Sequence, residues 1–243
     1  MMDPFQRIRE EAYEANRQLP GLGLVKFTFG NASAADHTQR VFAIKPSGVP
    51  YEKLSPDKMV VVSFDGQVVS GHLRPSSDTL THAVLYSHWP DIGGIVHTHS
   101  TYATAWAQAL REIPIYGTTH ADHLPVDVPC APPMADDMIQ GNYEYQTGMQ
   151  IIQYFQEHGL DYHQIPMILV GSHAPFTWGT TVEKAVYHSA ILEEMAFMAY
   201  LTEQIHSRVN PSTLPPRLKP ALIEKHYERK HGSQAYYGQD TND

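Results

Sequence analysis

Phe5, Ile8, Ala12 and Ala15 recur at helical spacing and predict an amphipathic helix that stops at "PGLG". The period then changes. In "LVKFTFGNAS", Val25, Phe27 and Phe29 alternate with polar residues and predict a strand, and "RVFAIKPSG" predicts a second. "MVVVSFDGQVVSG" has the form of a hairpin, with Asp65-Gly66 supplying the pair that a type I′ turn prefers. Helical spacing returns in "DTLTHAVLYSHW", a strand follows in "GGIVHTHS" and a helix in "TYATAWAQAL". "NYEYQTGMQIIQYFQEHG" predicts a helix closed by Gly159, and a strand spans about Met167 to Val170 before a histidine-bearing bend. The longest helix runs from Thr180 to about Ile205, with Thr180 and Glu183 matching a capping box. After the connector "NPSTLPPRLKP", a last helix covers about Ala221 to His231. Early strands joined by tight turns predict an α/β fold: a single domain, residues 1–243, with a central mainly antiparallel sheet flanked by helices.

Composition narrows the partners. Of 243 residues 42% are hydrophobic and 18% charged, an ordinary soluble balance. The formal net charge of −9 argues against nucleic acid, whose binding rests on clustered Lys and Arg. No apolar run approaches the roughly 20 residues that span a bilayer, and the N-terminus has no signal-peptide pattern. The lone Cys130 cannot form an intramolecular disulfide, consistent with a reducing compartment, and a cytoplasmic location is expected.

Candidate chemistry centres on "GGIVHTHS". A strand would point His97 and His99 the same way, giving half of a transition-metal site. Two solvated histidines at a strand end are the plain alternative. His173, in the Gly/Pro-rich "GSHAPFTWG", follows an apolar strand as the other two do and is the best third ligand. Asp78 offers a carboxylate for a fourth position. Three turns suit an anion: "FGNAS" with Gly30 and Asn31, "KPSG" with Lys45, Ser47 and Gly48, and "RPSSD" with Ser76, Ser77 and Asp78 at a helix N-terminus. Each alone also reads as an ordinary turn or cap; together, beside a metal half-site, they suggest a phosphate pocket. "TTHADH" contributes His120, Asp122 and His123 as proton-transfer candidates, or else a polar loop. His72, His82 and His88 are adequately explained by solvation on a helix surface or loop.

"FGNAS", "IKPSG", "PSSDT", "GGIVHTHS", "GTTHAD", "LVGSHAPFTWG" and "KHYERKHGSQAYYGQ" occur in order along most of the chain. With these seven motifs in register, the sequence resembles the L-ribulose-5-phosphate 4-epimerases of the class II aldolase/epimerase superfamily. The resemblance implies a fourfold-symmetric homotetramer with active sites between subunits, to whose interface the C-terminal helix and tail, about 217–243, contribute. It implies that His97, His99 and His173 bind zinc, or another divalent metal, with Asp78 as the nearby carboxylate. Gly30, Asn31, Ser47, Gly48, Ser76 and Ser77 match its substrate and phosphate positions; Asp122 and Tyr237 match its acid/base pair, with Tyr237 reaching in from a neighbouring subunit.

The implied reaction interconverts L-ribulose 5-phosphate and D-xylulose 5-phosphate, an activity used in both arabinose and ascorbate degradation. C4 lies two bonds from the ketone, so its C–H is not appreciably acidic. Cleaving C3–C4 by a retro-aldol step avoids that barrier, and zinc would stabilise the enediolate fragment. Re-addition to the opposite aldehyde face inverts C4. The resembling aldolases carry glutamate where this chain has Asp78, so "PSSD" favours epimerase over the alternative, a class II sugar-phosphate aldolase. A zinc hydrolase is a weaker alternative, because Ser100 and Thr101, not an Asp-His pair, follow His99. A non-catalytic metal or sugar-phosphate binding module is the third.

Overall fold

The computed structural model describes residues 3–232 and Ala235. Helix α1 (Gln6–Gly21) leads into four strands, β1 (Asn31–Asp36), β2 (Val41–Ile44), β3 (Val60–Ser63) and β4 (Val68–Ser70). Then come α2 (Thr79–His88), β5 (Gly94–His97), α3 (Thr101–Gln108), the single-turn α4 (Thr118–Ala121), β6 (Cys130–Ala131) and α5 (Asp136–Gln140). The chain continues through α6 (Tyr143–Glu157), β7 (Met167–Val170), β8 (Pro175–Gly179), α7 (Val182–Val209) and α8 (Pro220–His231). The strands form one eight-stranded sheet in the order β4-β3-β2-β1-β5-β8-β7-β6. Its pairings are antiparallel apart from β6 with β7.

Strand alternation sorts the core into two layers. Ala34, Ala43, Val61 and Val96 face one side, where they bury Ile8, Ala12, Ala15 and Leu19 of α1 and Val182, Ala185 and Val186 of α7. Phe42, Ile44, Val60, Val62 and Ile95 face the other, against α2, α3 and α6 and the later turns of α7. With both faces covered, "VFAI", "VVV" and "MILV" are uninterrupted apolar runs, not alternating ones. Each large side chain so buried contributes about 1.5–3 kcal/mol of transfer free energy. Close approach between layers is glycine-dependent where β5 meets α7: a Cβ on Gly94 would stand 2.2 Å from the Val182 Cα.

Several local expectations need correction. The segment holding Val25, Phe27 and Phe29 is a turn, not a strand; Phe27 has a left-handed φ of 56° and is 83% exposed. Its alternation has no neighbouring strand to serve, and pairing starts at Asn31, beside β5. The β3–β4 hairpin has one left-handed residue, Gly66 at φ 80°, and not the two that a type I′ turn needs. The N-cap of α7 is Thr181, whose side chain accepts from the Lys184 N–H, one residue later than the Thr180–Glu183 pairing. The bend after His173 contains β8, whose Pro175 stands at the first position of the strand, where proline is tolerated. His82, expected in solvent, is wholly buried, with Nδ1 2.7 Å from Ser33 Oγ.

Candidate metal and anion site

Register in the middle of the sheet builds the site. β5 ends at His97, with Asn31 of β1 opposite it on one side and Phe176 of β8 on the other. His99 lies two residues beyond the strand end, yet its Nε2 comes within 3.2 Å of His97 Nε2. His173 sits on the turn between β7 and β8, its ring 4.9 Å from that of His97 and 5.2 Å from that of His99. One nitrogen from each of the three can be chosen so that all lie within 4.8 Å of one another.

Burial lowers the proton affinity of His99 and His173, and the neighbouring His97 adds to it; His173 is pushed down to about 3. Both imidazoles are therefore neutral near pH 7, the form that ligates metals. Two nitrogens on one tetrahedral zinc, at bond lengths of about 2.0–2.1 Å, stand roughly 3.3 Å apart. The His97–His99 spacing fits such an ion.

Asp78 caps α2 by position but not by side chain: its carboxylate makes no bond to the helix N–H groups. Oδ2 instead accepts from Asn31 Nδ2 at 2.6 Å and Ser76 Oγ at 3.4 Å. Burial would raise its proton affinity, but His97, His82 and His173 and the Asn31 amide outweigh that and hold it low. Asp78 thus shares the cavity wall with the three histidines while standing outside their compact set.

That cavity, about 510 Å³, also takes in Gly30, Asn31, Lys45, Ser47, Gly48, Ser76 and Ser77. Gly30 has φ 73°, and a Cβ there would stand 2.8 Å from the His97 carbonyl oxygen, so the first anion-friendly turn reaches β5 only as glycine. Ser47 and Ser76 come together because the Ser47 N–H donates to Arg74 and the Ser76 N–H to Lys45. Lys45 Nζ donates to the Thr28 carbonyl at 3.2 Å and lies 4.9 Å from the Tyr51 ring centroid. Burial pulls its ammonium down to about 8, which leaves it mostly charged at neutral pH. The cavity thus holds one cation and several hydroxyls beside three clustered histidines that could hold a metal ion. Tyr143 and Glu144 line it as well. No sequence signal singled them out, since both read there as the start of a helix.

Asp122 is not among the residues lining this cavity. It ends α4 and is bound to α8: Oδ1 accepts from His226 Nδ1 at 2.9 Å, and both carboxylate oxygens accept from Arg229 at 2.8–3.0 Å. Burial opposes ionisation, but Arg229, His226 and Lys230 hold the carboxyl below its usual range. Its neighbours His120 and His123 are both pushed down to about 4, chiefly by burial. Tyr237 lies outside the described residues.

The buried histidines set a pH dependence. His82 and His120 titrate at about 3 and about 4 when folded, against about 6.5 when unfolded. Below about 6.5 the unfolded chain takes up protons that the folded chain refuses, so stability is full above that pH and falls down to about 4 for His120 and about 3 for His82. At pH 5 the loss is about 2 kcal/mol for each histidine. Urea unfolding of the metal-free protein at pH 7.5 and 5 should show it; equal stabilities would contradict these assignments.

The family model described as "Class II Aldolase and Adducin N-terminal domain" matches residues 10–200. The chain belongs to that family. Over 235 residues it is 47% identical to a protein from Salmonella paratyphi B called L-ribulose-5-phosphate 4-epimerase UlaF, covering 97% of this chain and all of the relative. A Salmonella typhi protein of the same name matches equally, at 47% over 235 residues. Among solved structures, an L-fuculose 1-phosphate aldolase superposes with TM-score 0.71 at 22% identity, covering 94% of this chain and 97% of the other. YgbL from Klebsiella pneumoniae, described as a putative aldolase/epimerase/decarboxylase, gives 0.69 at 22% identity, covering 92% and 99%. These structures bear on the fold, a class II aldolase α/β sheet flanked by helices. No helix among the described residues is long and apolar enough to cross a membrane.

Proposed function

We propose that the protein is a zinc-dependent L-ribulose-5-phosphate 4-epimerase, an isomerase that inverts C4 by breaking and remaking the C3–C4 bond. The observation that carries this reading is the 47% identity, over the full length of the relative, to proteins bearing that name. The cavity supports it chemically. His97, His99 and His173 would hold the ion, with Asp78 beside them. A divalent cation there supplies Lewis-acid stabilisation of the negative charge that develops on the three-carbon fragment, a contribution of several kcal/mol.

The remaining work falls to the chain's own side chains. Lys45, with the hydroxyls of Ser47, Ser76 and Ser77, gives the phosphate a cation and donors, keeping the aldehyde fragment tethered while it turns over. Asn31, whose amide already holds Asp78 and Ser76, keeps a buried Oδ1 without a protein partner, free to accept from a sugar hydroxyl. Inversion needs a proton acceptor on each face of C4. Asp122, an ionised carboxylate, and Tyr237 fill these roles in this reading. Because Asp122 lies away from the histidine cavity of its own chain, the reading requires a second copy to bring it there, as in a homotetramer with sites between subunits.

A class II sugar-phosphate aldolase would use the same cavity but release the two fragments. Incubating the zinc-loaded protein with L-ribulose 5-phosphate separates the two. The epimerase reading expects D-xylulose 5-phosphate without net glycolaldehyde phosphate; released glycolaldehyde phosphate as the main product would replace it with the aldolase.

A further inference from the structure

The three histidines are oriented by different means. His97 Nδ1, which faces away from the triad, stands 2.9 Å from the Pro175 carbonyl. It must donate there, which leaves Nε2 as the lone-pair nitrogen directed at its neighbours. His173 lacks a strand to fix it, since the turn carrying it passes through a left-handed Ser172 at φ 60°. A ring on such a turn keeps one tautomer and one orientation only if a neighbouring group selects them.

The neighbouring group is Tyr143, whose hydroxyl lies 3.4 Å from His173 Nδ1, with the rings 6.1 Å apart. Tyr143 is the first residue of α6, and that end of the helix is pinned. Asn142 Oδ1 accepts from the Tyr145 N–H, and Thr147 Oγ1 donates to the Tyr143 carbonyl at 2.9 Å. Thr81 of α2 donates to the Glu144 carbonyl at 2.6 Å. One turn on, Gly148 packs so closely that a Cβ there would stand 2.7 Å from Val84 Cβ. The backbone that carries the Tyr143 ring is therefore fixed relative to α2, whose N-cap is Asp78.

We propose that Tyr143 is a positioning residue for the metal centre: its hydroxyl accepts the Nδ1–H of His173 and so keeps Nε2 unprotonated and aimed at the ion. This rests on the reading of the three imidazoles as metal ligands. An outer partner of this kind fixes both tautomer and ring angle, and its loss weakens metal binding by about 10–100-fold. Tyr143→Phe removes the acceptor while keeping the ring in place.

The test is zinc affinity, measured by competition with a chromophoric chelator, for the unmodified protein, Tyr143→Phe and Tyr145→Phe. Tyr145 shares the helix but is exposed, so its variant serves as the control. The proposal expects Tyr143→Phe to bind zinc about 10–100-fold more weakly. Tyr145→Phe should match the unmodified protein, and the metal-free unfolding midpoint of Tyr143→Phe should be unchanged. Undiminished affinity in Tyr143→Phe overturns it, even if activity falls, because the hydroxyl would then be a substrate contact. A lower metal-free midpoint accompanying the weaker binding also overturns it, in favour of a structural role. Failure of the unmodified protein to bind zinc would remove the metal reading itself, and this proposal with it.

Discussion

Replacing His97 or His99 with Asn is expected to abolish stoichiometric zinc binding and to lower kcat/KM by about a thousandfold or more. The size follows from the chemistry assigned to the site. If Lewis-acid stabilisation supplies several kcal/mol, and each 1.36 kcal/mol is a factor of ten, its loss costs at least three powers of ten. The two readouts must fall together, because both imidazoles point one nitrogen into the same small volume, 3.2 Å apart. Metal content by elemental analysis and turnover of the same preparation check this. Full activity in a metal-poor variant would remove the zinc proposal.

The second large effect should separate rate from metal. Asp122→Asn, and a chain truncated before Tyr236, are expected to stay folded and to bind zinc as the unmodified protein does. Each should nevertheless lose about 10²–10⁴ in kcat, the range for a positioned acid or base. Asp122→Asn preserves size and one acceptor oxygen for the Arg229 guanidinium, so α8 keeps most of its anchorage to α4. Zinc stoichiometry beside kcat decides the matter. An undiminished rate in the truncated chain would refute the role given to Tyr237.

The parts of this account that could be read in the sequence are those whose chemistry is local. An HxH at the end of an apolar strand and a histidine in a Gly/Pro bend are short-range patterns, and the structure brings those three side chains together. The mainly antiparallel sheet was readable for the same reason, from early strands joined by tight turns in "RVFAIKPSG" and "MVVVSFDGQVVSG". What failed depended on partners far along the chain. Phe27 and Phe29 alternate like a strand, but alternation does not say whether another strand is beside it. His82 resembles any surface histidine until Ser33, 49 residues away, lies against it. Tyr143 meets His173 only because α6 packs on α2, and nothing in either local sequence records that contact. β8 was hidden by Pro175, whose missing N–H matters less at the first position of a strand than inside one. Tyr237 acquired its role solely from family resemblance, and the resemblance also singled out Asp122 from the proton-transfer candidates of "TTHADH"; within its own chain Asp122 belongs to the α4–α8 contact.

The central claim is that C4 is inverted by carbon–carbon cleavage in the histidine cavity, not by removal of its hydrogen. The most direct measurement uses L-ribulose 5-phosphate deuterated at C4, converted by the zinc-loaded protein in ordinary water and analysed by NMR. The account predicts D-xylulose 5-phosphate that retains the deuterium at C4, since the C–H bond stays intact while C3–C4 breaks and reforms. Product with hydrogen in its place, or no product, would contradict it.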